Sequence, residues 1–273
     1  TTEIYTLSLH DALPILTDLI RRITPSEKER ISDPEAALDG RPLRLSSVRV
    51  CSPIPHPEQD IICLGVNYAA HADESAQFDR KAFLLDRKKA TYFSKRAYQT
   101  SGPDDLIPSY PELVTSLDYE AELAVIIGRD CKNVCERDAA ACIFGYTVLN
   151  DVSARNLQTE HNQWYFGKSL DGFTPMGPCI VTEDEIPYPP ALSISSTVNG
   201  ELRQNSNTKY LLHSISEIIA ELSQGMTLLA GTIIATGTPA GVGMGFDPPK
   251  FLKSGDVVTC EIEKIGRLTN MVK

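Results

Sequence analysis

Residues 117–128, LDYEAELAVIIG, limit the possible folds of this chain more than any other stretch. Ala124, Val125, Ile126 and Ile127 form an unbroken apolar run, the pattern of a fully buried strand. At its head stand Glu120 and Glu122. Strand side chains alternate faces, so residues two apart point the same way. Two ionised glutamates on one face beside a buried run repel each other and lose hydration. That costs several kcal/mol unless a cation or a ring of donors neutralises them. The pair therefore reads as two oxygen ligands for a hard divalent metal such as Mg²⁺ or Mn²⁺. The competing reading is a half-exposed edge strand with both glutamates in water, the usual state of glutamate.

The rest of the composition narrows the partners. Over 273 residues the formal net charge is -10, and no basic run stands out, so nucleic acid and anionic membrane surfaces are not expected partners. No apolar segment reaches the roughly 20 residues of a membrane span. The seven cysteines are scattered, and Cys131 with Cys135 has no third Cys or His to complete a zinc set. Reduced thiols in a cytoplasmic protein fit best.

Residues 1–58 read as a lead-in and 59–273 as the main domain. The first fifteen residues, TTEIYTLSLHDALPI, differ from the rest and resemble translated sequencing-adapter DNA at the end of an assembled fragment. On that reading His10 and Asp11 carry no chemistry and a small leading domain is cut short; the alternative is a native strand-turn segment. Leu16, Leu19, Ile20 and Ile23 carry a helical period, Pro25 opens a possible second helix, and Pro53, Pro55 and Pro57 make a stiff extended link.

Within the main domain, residues 60–66 read as a buried strand, followed by His71 and Glu74. At i and i+3 of a helix these two meet, and a carboxylate can orient an imidazole as a base. A lone structural histidine is the plainer reading. Residues 145–150 are strand-like and end at Asp151, a candidate third metal ligand. Asp151, Arg155 and Gln158 fall at i, i+4 and i+7, one polar stripe of a short helix. Residues 164–178 form a Gly- and Pro-rich loop around Lys168, and 181–190 a linker. Asn199-Gly200 signals a hairpin, and 211–224 is the clearest helix, ended by Gly225. The glycine run at 233–245 lacks the G-K-[ST] of a phosphate loop; a substrate-facing loop with exposed amides and the Thr238 hydroxyl fits it better. Strands outnumber helices without doubly wound alternation, which predicts a mostly β, α+β domain.

Five segments in order, GVNYAAHADE, LDYEAELAVIIG, GYTVLNDVSARNLQ, GKSLDGFTPMGP and ATGTPAGVGMG followed by LKSGDVV, resemble the fumarylacetoacetate hydrolase family over roughly residues 60–273. The resemblance implies a mixed β-roll with a few flanking helices, a homodimer, and Mg²⁺ or Mn²⁺ in the catalytic cavity. Carried over position by position, it makes Glu120, Glu122 and Asp151 the metal ligands. His71 and Glu74 become the water-activating pair, Lys168 the group that meets the developing oxyanion, and Arg155, Gln158 and Thr238 the substrate contacts.

The function expected on this basis is metal-dependent hydrolysis of a carbon–carbon bond in a 2,4-dioxo acid, an acylpyruvate or fumarylpyruvate-like molecule, through a metal-stabilised enolate. The alternative on the same scaffold is an isomerase, tautomerase or decarboxylase of unsaturated 2-oxo diacids, of the 2-hydroxyhepta-2,4-diene-1,7-dioate type. A silent metal-binding dimer scaffold is the non-enzyme alternative. Selection of the substrate's tail is expected to lie within residues 75–115.

Overall fold

A computed structural model of the protein describes residues 15–24, 26, 48–83, 86–161 and 163–273, together with the backbone of 3–4 and 6–7. Two large sheets dominate it. One has seven strands, in the order Glu3–Ile4, Met176–Thr182, Ile143–Asn150, Ala121–Ile127, Ile233–Ala235, Ile61–Gly65 and Thr91–Lys95. The other has five, in the order Glu201–Asn207, Ser193–Val198, Val257–Ile262, Gly266–Val272 and Leu106–Ile107. Each combines antiparallel ladders with one parallel pair: Ile233–Ala235 runs parallel to Ile61–Gly65, and Gly266–Val272 to Leu106–Ile107. This is the mostly β, mixed α+β roll that the sequence predicts.

The apolar run of the central strand is explained by layers on both of its faces. Leu123, Val125 and Ile127 join a core with Val148, Ile194, Val258 and Cys260, which ties the two sheets together. Ala124 and Ile126 point the other way, into a core with Ile61, Cys63, Phe144 and Ile233. A strand with apolar neighbours above and below has no polar face to alternate with. The edge-strand reading of Glu120 and Glu122 is excluded: every residue of Ala121–Ile127 is buried, and the strand is paired on both sides.

The helix Ile15–Arg22 packs Ile20 into the second core beside Ile54, with Leu19 and the following Ile23 against it. The helix expected from Pro25, along with His10 and Asp11, lies outside the described residues. Residues 53–56 bend rather than extend, because the Ile54 side chain is buried and its carbonyl accepts from Thr100 Oγ1.

Other boundaries shift for local reasons. The long helix begins at Ile215, not 211: Ser214 accepts from Glu217 N–H and Glu217 returns the bond, a capping box that fixes the start. Leu211 is instead bridged to Tyr68. Residues 136–142 wind as a 3₁₀ helix. The supposed linker at 181–190 begins in strand, since Val181 and Thr182 pair with Tyr146 and Gly145. The hairpin turns at Asn199 and Gly200, both with positive φ, as its sequence predicts. No helix among the described residues is long and apolar enough to cross a membrane.

Candidate active site

Three acids are gathered by strand pairing. Ala121–Ile127 runs antiparallel to Ile143–Asn150 with Ala121 opposite Asn150 and Glu122 opposite Leu149. That register brings Asp151, the next residue after the partner strand, beside Glu120. The ladder breaks there: Asn150 Oδ1 accepts from Glu120 N–H at 3.0 Å, and Glu120 carbonyl accepts from Asp151 N–H at 2.9 Å. Glu120, Glu122 and Asp151 are all buried, each offering an oxygen within 4.8 Å of the others.

Buried cations surround them. Lys168 Nζ lies 2.7 Å from both Glu120 Oε2 and Asp151 Oδ2. Arg155 Nη1 lies 2.7 Å from Glu120 Oε1, and its Nε donates to Asp118 Oδ2 at 2.9 Å. Lys95, at the end of its strand, lies 2.7 Å from Asp151 Oδ1 and donates to the carbonyls of Val152 and Lys168. Burial works to raise the Glu120 carboxyl, but Lys168 and Arg155 outweigh it and hold the group below the usual range. Burial also works to lower the Lys168 ammonium, and Asp151 with Glu120 more than offsets that.

His71 and Glu74 sit on the helix Ala69–Phe78 with Nδ1 and Oε2 3.0 Å apart, as their spacing predicts. Glu74 Oε1 accepts from Gly241 N–H at 2.9 Å. With Nδ1 engaged by the carboxylate, Nε2 is left as the basic side of the ring, 3.4 Å from Ser75 Oγ.

His71, Glu120, Arg155, Gln158, Lys168 and Thr238 line one cavity, with Leu64, Phe83, Phe93 and Trp164 on its apolar side. Glu122 and Asp151 join this group through Glu120, and Glu74 joins through His71. All nine expected site residues are thus brought together. Two details differ from expectation. Asp151 is not on the stripe of Arg155 and Gln158: the helix starts at Arg155, because Ser153–Ala154 first pairs with Leu117–Asp118. The loop amides are not free for substrate either. Gly237 N–H donates to Glu122, Gly241 N–H to Glu74, and those of Gly243 and Met244 to Asp118. Thr238 likewise has its hydroxyl engaged, donating to Ala121 carbonyl and accepting from Gln204 Nε2.

Lys95 and Asp118 were not among the expected residues. Asp118 had a signal, since 118, 120 and 122 continue one alternation. Lys95 had none beyond closing an apolar strand.

The model of the family described as Fumarylacetoacetate (FAA) hydrolase, C-terminal, matches residues 60–273. The chain belongs to the fumarylacetoacetate hydrolase family. Among curated relatives of that family, it is 46% identical over 228 residues to "Oxaloacetate tautomerase YisK" of Bacillus subtilis (strain 168), covering 84% of this chain and 74% of that protein. It is 41% identical over 263 residues to "Oxaloacetate tautomerase fahd2, mitochondrial" of Xenopus laevis, covering 95% of this chain and 80% of that one. A solved structure, the fumarylacetoacetate hydrolase of Exiguobacterium antarcticum, superposes with a TM-score of 0.79 at 42% identity, covering 94% of this chain and 87% of that one.

The residues present suit the divalent ion that the fumarylacetoacetate hydrolase family implies. Four buried carboxylates, of Asp118, Glu120, Glu122 and Asp151, face three buried cations, Lys95, Arg155 and Lys168. Glu122 is the surplus charge. It has one hydrogen bond, from Gly237 N–H at 2.8 Å, and no ion pair among the described residues. Burial, with Asp151 and Glu120 alongside, pushes its carboxyl well above the usual range. A cation held by these three oxygen donors removes that imbalance.

Proposed function

We propose that this protein is a divalent-metal-dependent tautomerase that interconverts the enol and keto forms of a short 2-oxo diacid of the oxaloacetate type. The observation that carries this reading is an oriented imidazole, the buried ammonium of Lys168 and one guanidinium nitrogen without a partner among the described residues, gathered around a carboxylate triad. Similarity to two proteins named oxaloacetate tautomerase ranks tautomerisation ahead of carbon–carbon hydrolysis.

Glu120, Glu122 and Asp151 would hold the ion, Mg²⁺ or Mn²⁺. When bound there it supplies Lewis acidity, polarising the 2-oxo group and easing the negative charge that develops on its oxygen. The protein's own groups do the rest. Arg155 Nη2 is buried with no hydrogen-bond partner among the described residues, so it is a donor available to a substrate carboxylate. Lys168 keeps its charge and supports the developing oxygen charge. His71 Nε2 takes a proton from carbon 3 of the keto acid, and the oxygen on carbon 2 gains one. The reverse transfers restore the keto form, with no water consumed and no carbon bond cut. Glu74 orients the ring and stabilises it when protonated, and general acid–base help of this kind is worth about 10²–10⁴-fold. Leu64, Phe83, Phe93 and Trp164 keep water from the carbon that gains or loses the proton.

The catalytic unit on this reading is residues 59–273, and a homodimer is its expected form, to be checked by sedimentation. Hydrolysis of a 2,4-dioxo acid is the second reading, favoured by the name of the Exiguobacterium antarcticum relative. Nuclear magnetic resonance of the reaction mixture separates the two. With oxaloacetate and Mg²⁺, faster enol–keto exchange with all four carbons retained supports the tautomerase. No acceleration with oxaloacetate, together with two fragments from an acylpyruvate, supports the hydrolase and refutes the first reading.

A further inference from the structure

We infer that Trp164 caps the space for the substrate's tail and restricts the site to short 2-oxo diacids. This rests on the tautomerase reading for the position of the acid end, and goes beyond it by assigning the residue that selects the other end.

Trp164 and Lys168 stand at i and i+4 of a single helical turn, with Lys168 N–H donating to Trp164 carbonyl at 3.2 Å. Residues four apart share a helix face, so the indole lies over the same cavity that the ammonium enters. The turn is pressed against its neighbour, since a Cβ on Gly167 would come within 2.5 Å of Gln158 N. The indole is wedged between two rings, with centroids 5.4 Å from Phe83 and 5.3 Å from Phe93. Below it the strand Ile61–Gly65 ends in a residue without a side chain. A Cβ on Gly65 would sit 2.4 Å from Cζ3 of the indole, so the ring rests directly on backbone.

The aromatic wall begins beside the charged floor. Lys168 Nζ lies 5.3 Å from the centroid of Phe93, the ring that also touches Trp164. A substrate whose 2-oxo acid end reaches Lys168 and Arg155 therefore has its far end at the indole within a few bonds. With the indole seated there, the cavity has no room for a bulky apolar tail. Phe83 and Phe93 fall in the 75–115 segment expected to select the tail, but Trp164 comes from a different loop.

Trp164 is also the chain's one tryptophan, so intrinsic fluorescence reports on this spot. The test titrates the Mg²⁺-loaded protein with oxaloacetate and with a 2,4-dioxo acid carrying a phenyl tail, by calorimetry for the wild type and the variants and by indole fluorescence for the wild type. The wild-type protein is expected to favour oxaloacetate. In Trp164→Ala the ratio of phenyl-tailed to oxaloacetate affinity should rise at least tenfold, and the gain should appear in KM for any turnover. Trp164→Phe, which keeps the aromatic packing, should shift the same ratio in the same direction by less, and it serves if the alanine variant fails to fold. A ratio unchanged in the variant that folds, or a wild-type protein that binds the phenyl-tailed acid as tightly as oxaloacetate, overturns the inference. Tail-dependent binding without tautomerisation would instead support it while refuting the proposed reaction.

Discussion

Glu122 is the residue on which the electrostatics of the site turn. Its neighbours Glu120 and Asp151 have ammonium or guanidinium partners at 2.7 Å, whereas Glu122 has a single amide. Glu122→Gln removes the surplus charge while keeping the shape. Turnover should fall at least about 10²-fold as the ion is lost, and the metal-free protein should be no less stable than the wild type. Divalent ion at about 100 times its Kd should stabilise the wild type by about 2.7 kcal/mol, and the variant by much less. Thermal melts with and without Mg²⁺ check both halves, and equal metal-induced shifts would dismiss the ligand role. Asp118 holds Arg155 from the other side and accepts two loop amides. Asp118→Asn should cost about 3 kcal/mol, because it leaves a buried guanidinium short of a counter-charge; urea midpoints measure it. Glu120, Glu122, His71, Glu74 and Lys168 were legible in the sequence through spacing and family resemblance. Lys95 was not: a lysine closing a strand looks solvated until the fold brings it to Asp151.

At the scale of elements, the loop after Ile233–Ala235 joins the two halves of the site. It gives an amide to Glu122, one to Glu74 and two to Asp118. Gly245 leaves room for this, since a Cβ there would lie 1.6 Å from Glu74 Oε1. Gly245→Ala should therefore displace Glu74 and free the His71 ring. We expect kcat to drop by at least about tenfold, short of the roughly 10²–10⁴-fold of a fully lost general base, while Mn²⁺ affinity measured by calorimetry stays near wild type. A loss of metal affinity equal to the loss of rate would show that the loop supports the ion site instead. Sequence patterning located most strands here, because apolar runs and turn residues are local signals. It misplaced the start of the long helix, since Leu211 and Leu212 continue the apolar period and only the Ser214–Glu217 capping box reveals the boundary. It also put Asp151 on a helix, because the two-residue ladder at Ser153–Ala154 depends on a distant partner, as Ala154 pairs with Leu117, 37 positions upstream.

At the scale of the whole molecule, the strand Ala121–Ile127 of the seven-stranded sheet sends side chains into both hydrophobic cores, one between the two sheets and one on its far face, and the site forms where that strand begins. The fold class followed from strand-rich patterning, but the pairing order could not, since non-local pairing leaves no periodic trace. The same burial governs the thiols. Cys63, Cys131, Cys142, Cys179 and Cys260 are buried, Cys51 is half-buried and Cys135 is exposed. Burial pushes the Cys63 thiol well up and that of Cys260 up to about 12, so neither supplies thiolate at neutral pH. A thiol-exchange reagent at pH 8 should modify Cys135 fast and Cys51 more slowly, with the remainder reacting only on unfolding; rapid modification of Cys260 in the native protein would contradict the packing described. The central claim is that one divalent ion is shared by three acids drawn from two adjacent strands, and an anomalous difference map from a Mn²⁺-soaked crystal tests it most directly. One peak is expected within about 2.2 Å of an oxygen from each of Glu120, Glu122 and Asp151; no peak there, or a peak that leaves Glu122 unligated, would contradict it.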